Sequence, residues 1–427
     1  MTDVPSTARA APLRGVLECD GCGETVRVPA LAPRVEACCP RCATLLFRGQ
    51  SSSLDAPLAL VLAGLALYAV TMASPFLSLN LLGRVRVSGV ESGAGAFVQQ
   101  GYPLLSVLVV LTLVLVPFLR LLLLLVVLLG LRMRDAPRWL FRPFGWHEWL
   151  GGWAMVEVFL FGALVSYTRL RDLAQVELGP AAYGLAALAF TLVAVNAVLQ
   201  PAVVWDALER RGATAAPLAG DGEATRERRR LACERCRRLT AAPPGSACPR
   251  CAAPLHARKP NSLARTWALV VAAFILYVPA NAYPVMVIVS FGRGGAHTIL
   301  GGVKEFVQTG FWPLALIVFL ASVAVPMLKL LGLVVMLVGV HRRSPTGLRA
   351  RTRLYRFVEA IGRWSMIDVF VVSVLIAVVR FGNLASINAQ VGATCFAAVV
   401  VLTILAAQSF DPRLMWDAAG QAGGDRP

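Results

Sequence analysis

This sequence is short of charge. Only 15% of its residues are Asp, Glu, Lys or Arg, against 57% hydrophobic, and its mean hydropathy is +0.67. A soluble domain has no use for that much apolar surface, so the balance points to a polytopic membrane protein. Histidine is scarcer still. His147, His256, His297 and His341 are the whole complement, and none stands in an arrangement resembling a nucleophile–base pair. There is no G-x-x-x-x-G-K-[ST] phosphate loop, so ATP hydrolysis is not expected, and an enzyme is not expected either. The first fifteen residues, MTDVPSTARAAPLRG, carry no apolar core, so no cleavable signal peptide is expected. Acidic residues are outnumbered 24 to 41, for a formal charge of +17. The Arg residues lie in loops between apolar runs, where they set topology rather than bind nucleic acid.

What is present is long apolar runs, and they come twice. After a polar head (1–50), runs span about Ala56–Phe76, Pro103–Leu131, Leu150–Leu170 and Ala181–Trp205. A basic linker (207–231) and a second polar head (232–260) follow. Four more runs span about Ala264–Ser290, Trp312–Val340, Ile361–Phe381 and Ala393–Phe410, before a polar tail (418–427). Leu67-Tyr68, Phe97-Val98-Gln99, Pro117 and Arg120 recur 209 positions on as Leu276-Tyr277, Phe306-Val307-Gln308, Pro326 and Lys329. WAMVEVF at Trp153 and Trp205-Asp206 recur 211 positions on as WSMIDVF at Trp364 and Trp416-Asp417. The expected fold is all-α: eight spans in two parallel four-helix repeats (51–206 and 261–417), since four spans is an even number. The loop Arg132–Arg142 carries four Arg and the loop Arg342–Arg363 carries seven. Those loops are expected in the cytosol, with both termini and both polar heads.

Each head holds two Cys-x-x-Cys pairs: Cys19/Cys22 with Cys39/Cys42, and Cys233/Cys236 with Cys248/Cys251. Four thiolates from two tight turns make a closed tetrahedral site suited to zinc, and metal would supply the folding energy that so small a head lacks. A reducing cytosol argues against disulfides. Redox-active pairs and rubredoxin-like iron are the alternatives. Cys38 competes with Cys39, although the parallel with Cys248 favours Cys39. Sixteen residues separate the pairs of the first head and eleven those of the second. His256 is a spare ligand, and Cys395 reads as a small core residue.

Two charges lie deep in the second repeat. At about 1.5 Å per residue, Asp368 sits roughly 10 Å from the cytosolic start of its run and Lys329 roughly 16 Å from the cytosolic end of its own. Charges at such depth need a partner or a wet cavity, so the two are expected to pair. Ser322, Ser365 and Thr403 have compatible depths and faces and complete a candidate polar network. The first repeat keeps the charges as Arg120 and Glu157 but has Leu113, Ala154 and Leu192 in place of the hydroxyls. Its pair is expected to be a structural tie. The second network is either a working relay or helix packing, the hydroxyls bonding their own backbones.

The Cys-x-x-Cys heads, FVQTGFWPLA, VPMLKL, RWSMIDVF and FDPRLMWD together resemble the paraquat-inducible protein A family, over nearly the whole chain in two copies. The resemblance implies an integral inner-membrane protein of Gram-negative bacteria. It also implies a separate MCE-domain partner that forms a tunnel across the periplasm, and a part in lipid traffic between the membranes. The expected function is thus passage of lipid from or to that partner, coupled to protons through Lys329 and Asp368. A passive membrane anchor and a redox or metal sensor are the other readings.

Overall fold

The computed structural model describes residues 13–29, 35–49, 53–81, 84–171, 175–216, 230–290, 293–308, 310, 312–379 and 385–424. Most of the expected basic linker (217–229) and the last residues of the tail (425–427) lie outside them.

The chain is mostly helical. Among the described residues seven helices are long and apolar enough to cross a membrane: Asp55–Ala73, Pro103–Arg132, Pro180–Val198, Ser262–Ala282, Leu320–His341, Leu348–Val378 and Val391–Ser409. The run expected as the third span is shorter, an apolar stretch Val156–Thr168, so seven rather than eight helices meet the length that a bilayer asks for. Its shortness has a local cause. Gly151 and Gly152 stand just ahead of it, and the helix begins only at Val156.

The second span of each repeat changes pitch at the same place. A π-helical turn covers Val110–Leu115 ahead of Pro117, and another covers Leu320–Ala324 ahead of Pro326. A proline ring collides with the carbonyl four residues back and offers no N–H to it. Those carbonyls belong to Leu113 and Ser322, inside the wider turns that relieve the clash.

Small sheets close the ends opposite the cysteine heads, which an all-helical expectation missed. Strands Leu77–Leu81, Arg84–Ser88 and Gln175–Leu178 form one antiparallel sheet with Leu77–Leu81 central. Met286–Ser290, Arg293–His297 and Ala385–Ala389 repeat it, with Met286 opposite His297 as Leu77 is opposite Ser88. Each outer strand hands over to a span through a glycine pressed on backbone. A Cβ on Gly179 would fall 2.2 Å from Pro75 O, and one on Gly392 2.5 Å from Pro284 O.

The repeats pack on each other along the helix Ile367–Val378. Phe159 meets Phe370 edge to face at 5.5 Å, and the hydroxyl of Ser166 donates to Val371 O at 3.3 Å. A Cβ on Gly93 would strike Ser373, so only glycine lets the short helix Ser92–Gln99 lie this close. Gln100 ties the same region to the second sheet, donating to Ile387 O and accepting from the amide of Ala389 at 2.7 Å.

Candidate functional site

Two chemistries were expected, metal binding in the heads and a polar network in the membrane. The heads are built from hairpins. Each Cys-x-x-Cys turn of the first head joins two strands, Leu13–Glu18 to Thr25–Pro29 and Glu36–Cys38 to Leu45–Arg48. All four turns share one backbone pattern. The amide of the first cysteine donates five residues on, to Glu24, Thr44, Arg238 and Ala253, and its carbonyl accepts from the residue after the second cysteine. That last residue is left-handed in every case: Gly23 at φ 75°, Ala43 at 59°, Arg237 at 57° and Ala252 at 59°. Three non-glycine residues in that region store strain, which a ligated metal would repay by fixing the turn.

The turns bring the eight expected cysteines into two buried clusters of four, with sulfurs within 4.8 Å of one another in each. Sγ atoms of Cys19 and Cys42 are 3.5 Å apart and those of Cys22 and Cys39 are 3.6 Å apart. The second cluster gives 3.4 Å for Cys233–Cys251 and 3.7 Å for Cys236–Cys248. A tetrahedron with Zn–S bonds of about 2.3 Å has edges of about 3.8 Å. The donor set and spacing therefore fit a tetrahedral thiophilic ion. Cys38 is exposed and outside the cluster, Cys395 is half-buried, and His256 joins neither centre.

The heads do not sit where chain order suggests. The first head precedes the first repeat but packs on the second. Its cysteines share a core with Leu330, Leu333, Met336, Tyr355 and Trp416. The second head packs instead on the first repeat, among Phe144, Trp205 and Leu208. The arginine of each Cys-Pro-Arg-Cys turn meets the tryptophan of the Trp-Asp pair in the opposite repeat. Arg41 lies over Trp416, while Arg250 lies near Trp205 and donates to Asp206 at 2.6 Å. Sequence reasoning used Trp-Asp only as a repeat marker. Its role was legible only once the crossing was known.

A charged knot fastens both heads. Arg413, 7% exposed, pairs with Asp411 at 2.8 Å beside it, Glu18 of the first head at 3.2 Å and Glu234 of the second at 3.0 Å. Burial pushes the Asp411 carboxyl up, but the hydrogen bonds and charge of Arg413 outweigh it and hold the group below its ordinary range. Arg258 adds Asp417 at 2.7 Å and Glu18 at 3.2 Å. In the first repeat the places of Asp411 and Arg413 are taken by Gln200 and Ala202, so the knot belongs to the second repeat alone.

The intramembrane residues divide into two groups, and this corrects the expected Lys329–Asp368 pair. Lys329 is fully buried and donates to Thr403 Oγ1 at 2.9 Å and to Gly362 O at 3.5 Å. Asp368 instead lines a cavity with Ser322 and His297. Ser322 lies seven residues before Lys329, about 10 Å along the helix, and the 3₁₀ segment Gly362–Met366 separates Asp368 from the Lys329 level by a similar rise. The two charges occupy different levels. Ser322 donates to its own Val318 O at 2.7 Å, and Ser365 is buried on the 3₁₀ segment without a hydrogen bond among the described residues.

The first repeat follows the same rule. Arg120 donates to Asn196 Oδ1 at 2.6 Å on the fourth span, and no ion pair with Glu157, the expected tie, forms among the described residues. In both repeats the cation of the second span is held by a polar residue of the fourth.

The comparisons with known proteins bear on the whole chain. The family model described as paraquat-inducible protein A matches residues 54–209 and again 263–420. The chain is 32% identical over 404 residues to intermembrane transport protein PqiA of Escherichia coli (strain K12), covering 93% of this chain and 95% of that one. It is 28% identical over 401 residues to lipophilic envelope-spanning tunnel protein A of the same organism, covering 94% and 91%. A probable intermembrane transport protein of Haemophilus influenzae is 28% identical over 421 residues, covering 97% and 98%. No solved structure matches the chain. With both halves matched by one family description, and relatives aligned from end to end, the chain belongs to the paraquat-inducible protein A family.

Proposed function

We propose that this chain is the inner-membrane subunit of a lipid transport system, passing lipid between the inner membrane and a periplasmic MCE-domain tunnel partner. The heads and termini face the cytosol on this reading, and the sheets face the periplasm toward the partner. The names of the relatives, intermembrane transport protein and envelope-spanning tunnel protein, support a transport role. The observation that carries the reading is the polar machinery inside the second repeat. A fully buried lysine is answered by Thr403, and a separate carboxylate opens onto a cavity where the repeats meet. An anchor has no need of either, because charges at that depth are retained chiefly for function. Proton coupling through Lys329 and Asp368 is the proposed energy source, with zinc in the heads as structural cofactor.

The passive anchor is the second reading. The buried arginine knot favours it in one respect, since it makes the heads rigid platforms rather than mobile levers. Lipid transfer in reconstituted membranes with the periplasmic partner separates the two. Asp368→Asn and Lys329→Met are each expected to reduce transfer at least tenfold while leaving partner binding intact. Normal transfer by both variants would establish the anchor.

A further inference from the structure

The helix Ile367–Val378 is apolar but for Asp368 and Ser373, and every residue of it is buried except Asp368. Asp368 is half-buried and lines a cavity of about 70 Å³. The cavity lies between the strands Met286–Ser290 and Arg293–His297, the start of the helix Ile299–Gln308, the π turn and Val165 of the first repeat. Its size decides its use. Sites for drug-sized molecules run to about 300–1,000 Å³, whereas one water needs about 10–15 Å³ of such space. There is room here for several waters and none for a lipid.

Among the described residues of the lining, His297 from the sheet and Asp368 from the span are the titratable side chains. Ser322 and Thr298 supply hydroxyls. Thr298 also accepts from the amide of Gly301 at 3.0 Å and so fixes the helix start beside His297. The first repeat is the control. The counterparts of His297 and Ser322 are Ser88 and Leu113, and Ser88 donates to Leu77 O across its own sheet at 3.1 Å.

We propose that this cavity is a proton site, in which Asp368 and His297 share one proton delivered from the sheet side through confined water. The step is a transfer of H⁺ alone. The N–H bond of the imidazolium breaks, an O–H bond forms on the carboxylate, and an ion pair becomes two neutral groups. Histidine is the side chain suited to that exchange near neutral pH. The proposal deepens the coupled-transport reading and rests on it for its physiological role. Lys329, held by Thr403 at another level, is not a member of this pair.

The test is infrared difference spectroscopy on the full chain reconstituted in phosphatidylethanolamine–phosphatidylglycerol vesicles, titrated between about pH 5 and pH 8. The carboxyl band is assigned by its loss in Asp368→Asn. Because coupled groups titrate as a pair, His297→Gln is expected to displace its midpoint by about one pH unit or more, and Lys329→Met by no more than a few tenths. An unmoved midpoint in His297→Gln overturns the proposal. A displaced midpoint with normal lipid transfer keeps the pair and overturns the coupling; lost transfer in Asp368→Asn with an unmoved midpoint in His297→Gln does the reverse. If His297→Gln does not fold, diethyl pyrocarbonate labelling of His297, read by mass spectrometry, replaces it. Labelling against pH is expected to differ between wild type and Asp368→Asn, and identical profiles overturn the pair.

Discussion

Arg41 lies over the ring of Trp416, 4.7 Å from its centroid, and joins the first head to the last helix of the chain. Arg250 repeats the relationship with Trp205 at 5.9 Å, between the second head and the first repeat. One interaction, made twice, crosses the heads over the bundles. A double-mutant cycle of Arg41→Ala and Trp416→Ala is expected to give a coupling of about 0.5–2 kcal/mol. Amide exchange in the first head provides the reading, and additive effects would deny the contact any weight.

Arg413 should be the costliest single loss in the heads. Arg413→Met strands Asp411, which is 1% exposed, and removing one partner of a buried pair costs about 3–5 kcal/mol. Thermal unfolding in detergent measures it, and adding Asp411→Leu is expected to restore much of the loss. The Asp411 carboxyl is held below its ordinary value, so its contribution is present above the unfolded pKa and is lost as pH falls through the lower folded one. Acid should therefore release the heads before the spans unfold.

Metal removal should act across the repeats. Cys22→Ser and Cys236→Ser are each expected to lower bound metal from two ions to one per chain, measured by elemental analysis. Cys22→Ser should then raise exchange in Leu348–Ile361 of the second repeat, and Cys236→Ser in Pro201–Arg210 of the first. Loosening confined to the repeat that follows each head in sequence would refute the crossing.

Glu148 carries a pH dependence of opposite sign to Asp411. Burial pushes its carboxyl up to about 7, against the hydrogen bond that Trp205 Nε1 donates at 3.0 Å. Its contribution is fully present below the unfolded value of about 4.5 and is lost as pH rises through about 7. Docking of the second head should thus weaken between about pH 4.5 and pH 7. Glu148→Gln, which can still accept from Trp205, should flatten that profile; an unchanged slope would place the titration elsewhere.

Among the described residues, Thr403→Val leaves the Lys329 amine only Gly362 O, at 3.5 Å, for a partner. An unsatisfied buried donor costs about 1–3 kcal/mol, more when charged. Thermal unfolding should register the loss. Thr403→Ser should recover most of it, and equal stability of all three would remove Thr403 from the account.

Much of this was legible in one dimension. Apolar run lengths gave seven of the eight expected spans, and the recurrence of Pro117, Arg120 and Trp205 as Pro326, Lys329 and Trp416 gave the repeat. The cysteine spacing gave the two four-cysteine clusters, because two tight turns leave four sulfurs little choice of geometry. The hairpins were readable too. Leu77–Leu81 and Arg84–Ser88 alternate with period two, a strand signal overshadowed by the long helical runs around them.

Two things waited for the tertiary structure. Which head caps which bundle depends on contacts between segments far apart in sequence, such as Arg41 with Trp416, and spacing carries no trace of them. The partners of buried charges depend on helix level and pitch. The 3₁₀ segment Gly362–Met366 and the π turn Leu320–Ala324 alter the rise that a uniform helix assumes, which puts Lys329 against Thr403 and turns Asp368 toward His297 and its cavity. The sequence by itself determined which groups are buried in the membrane, because hydropathy is a property of local composition. Only the packed structure decided which of them meet, because that follows from where each helix starts, bends and turns against its neighbours.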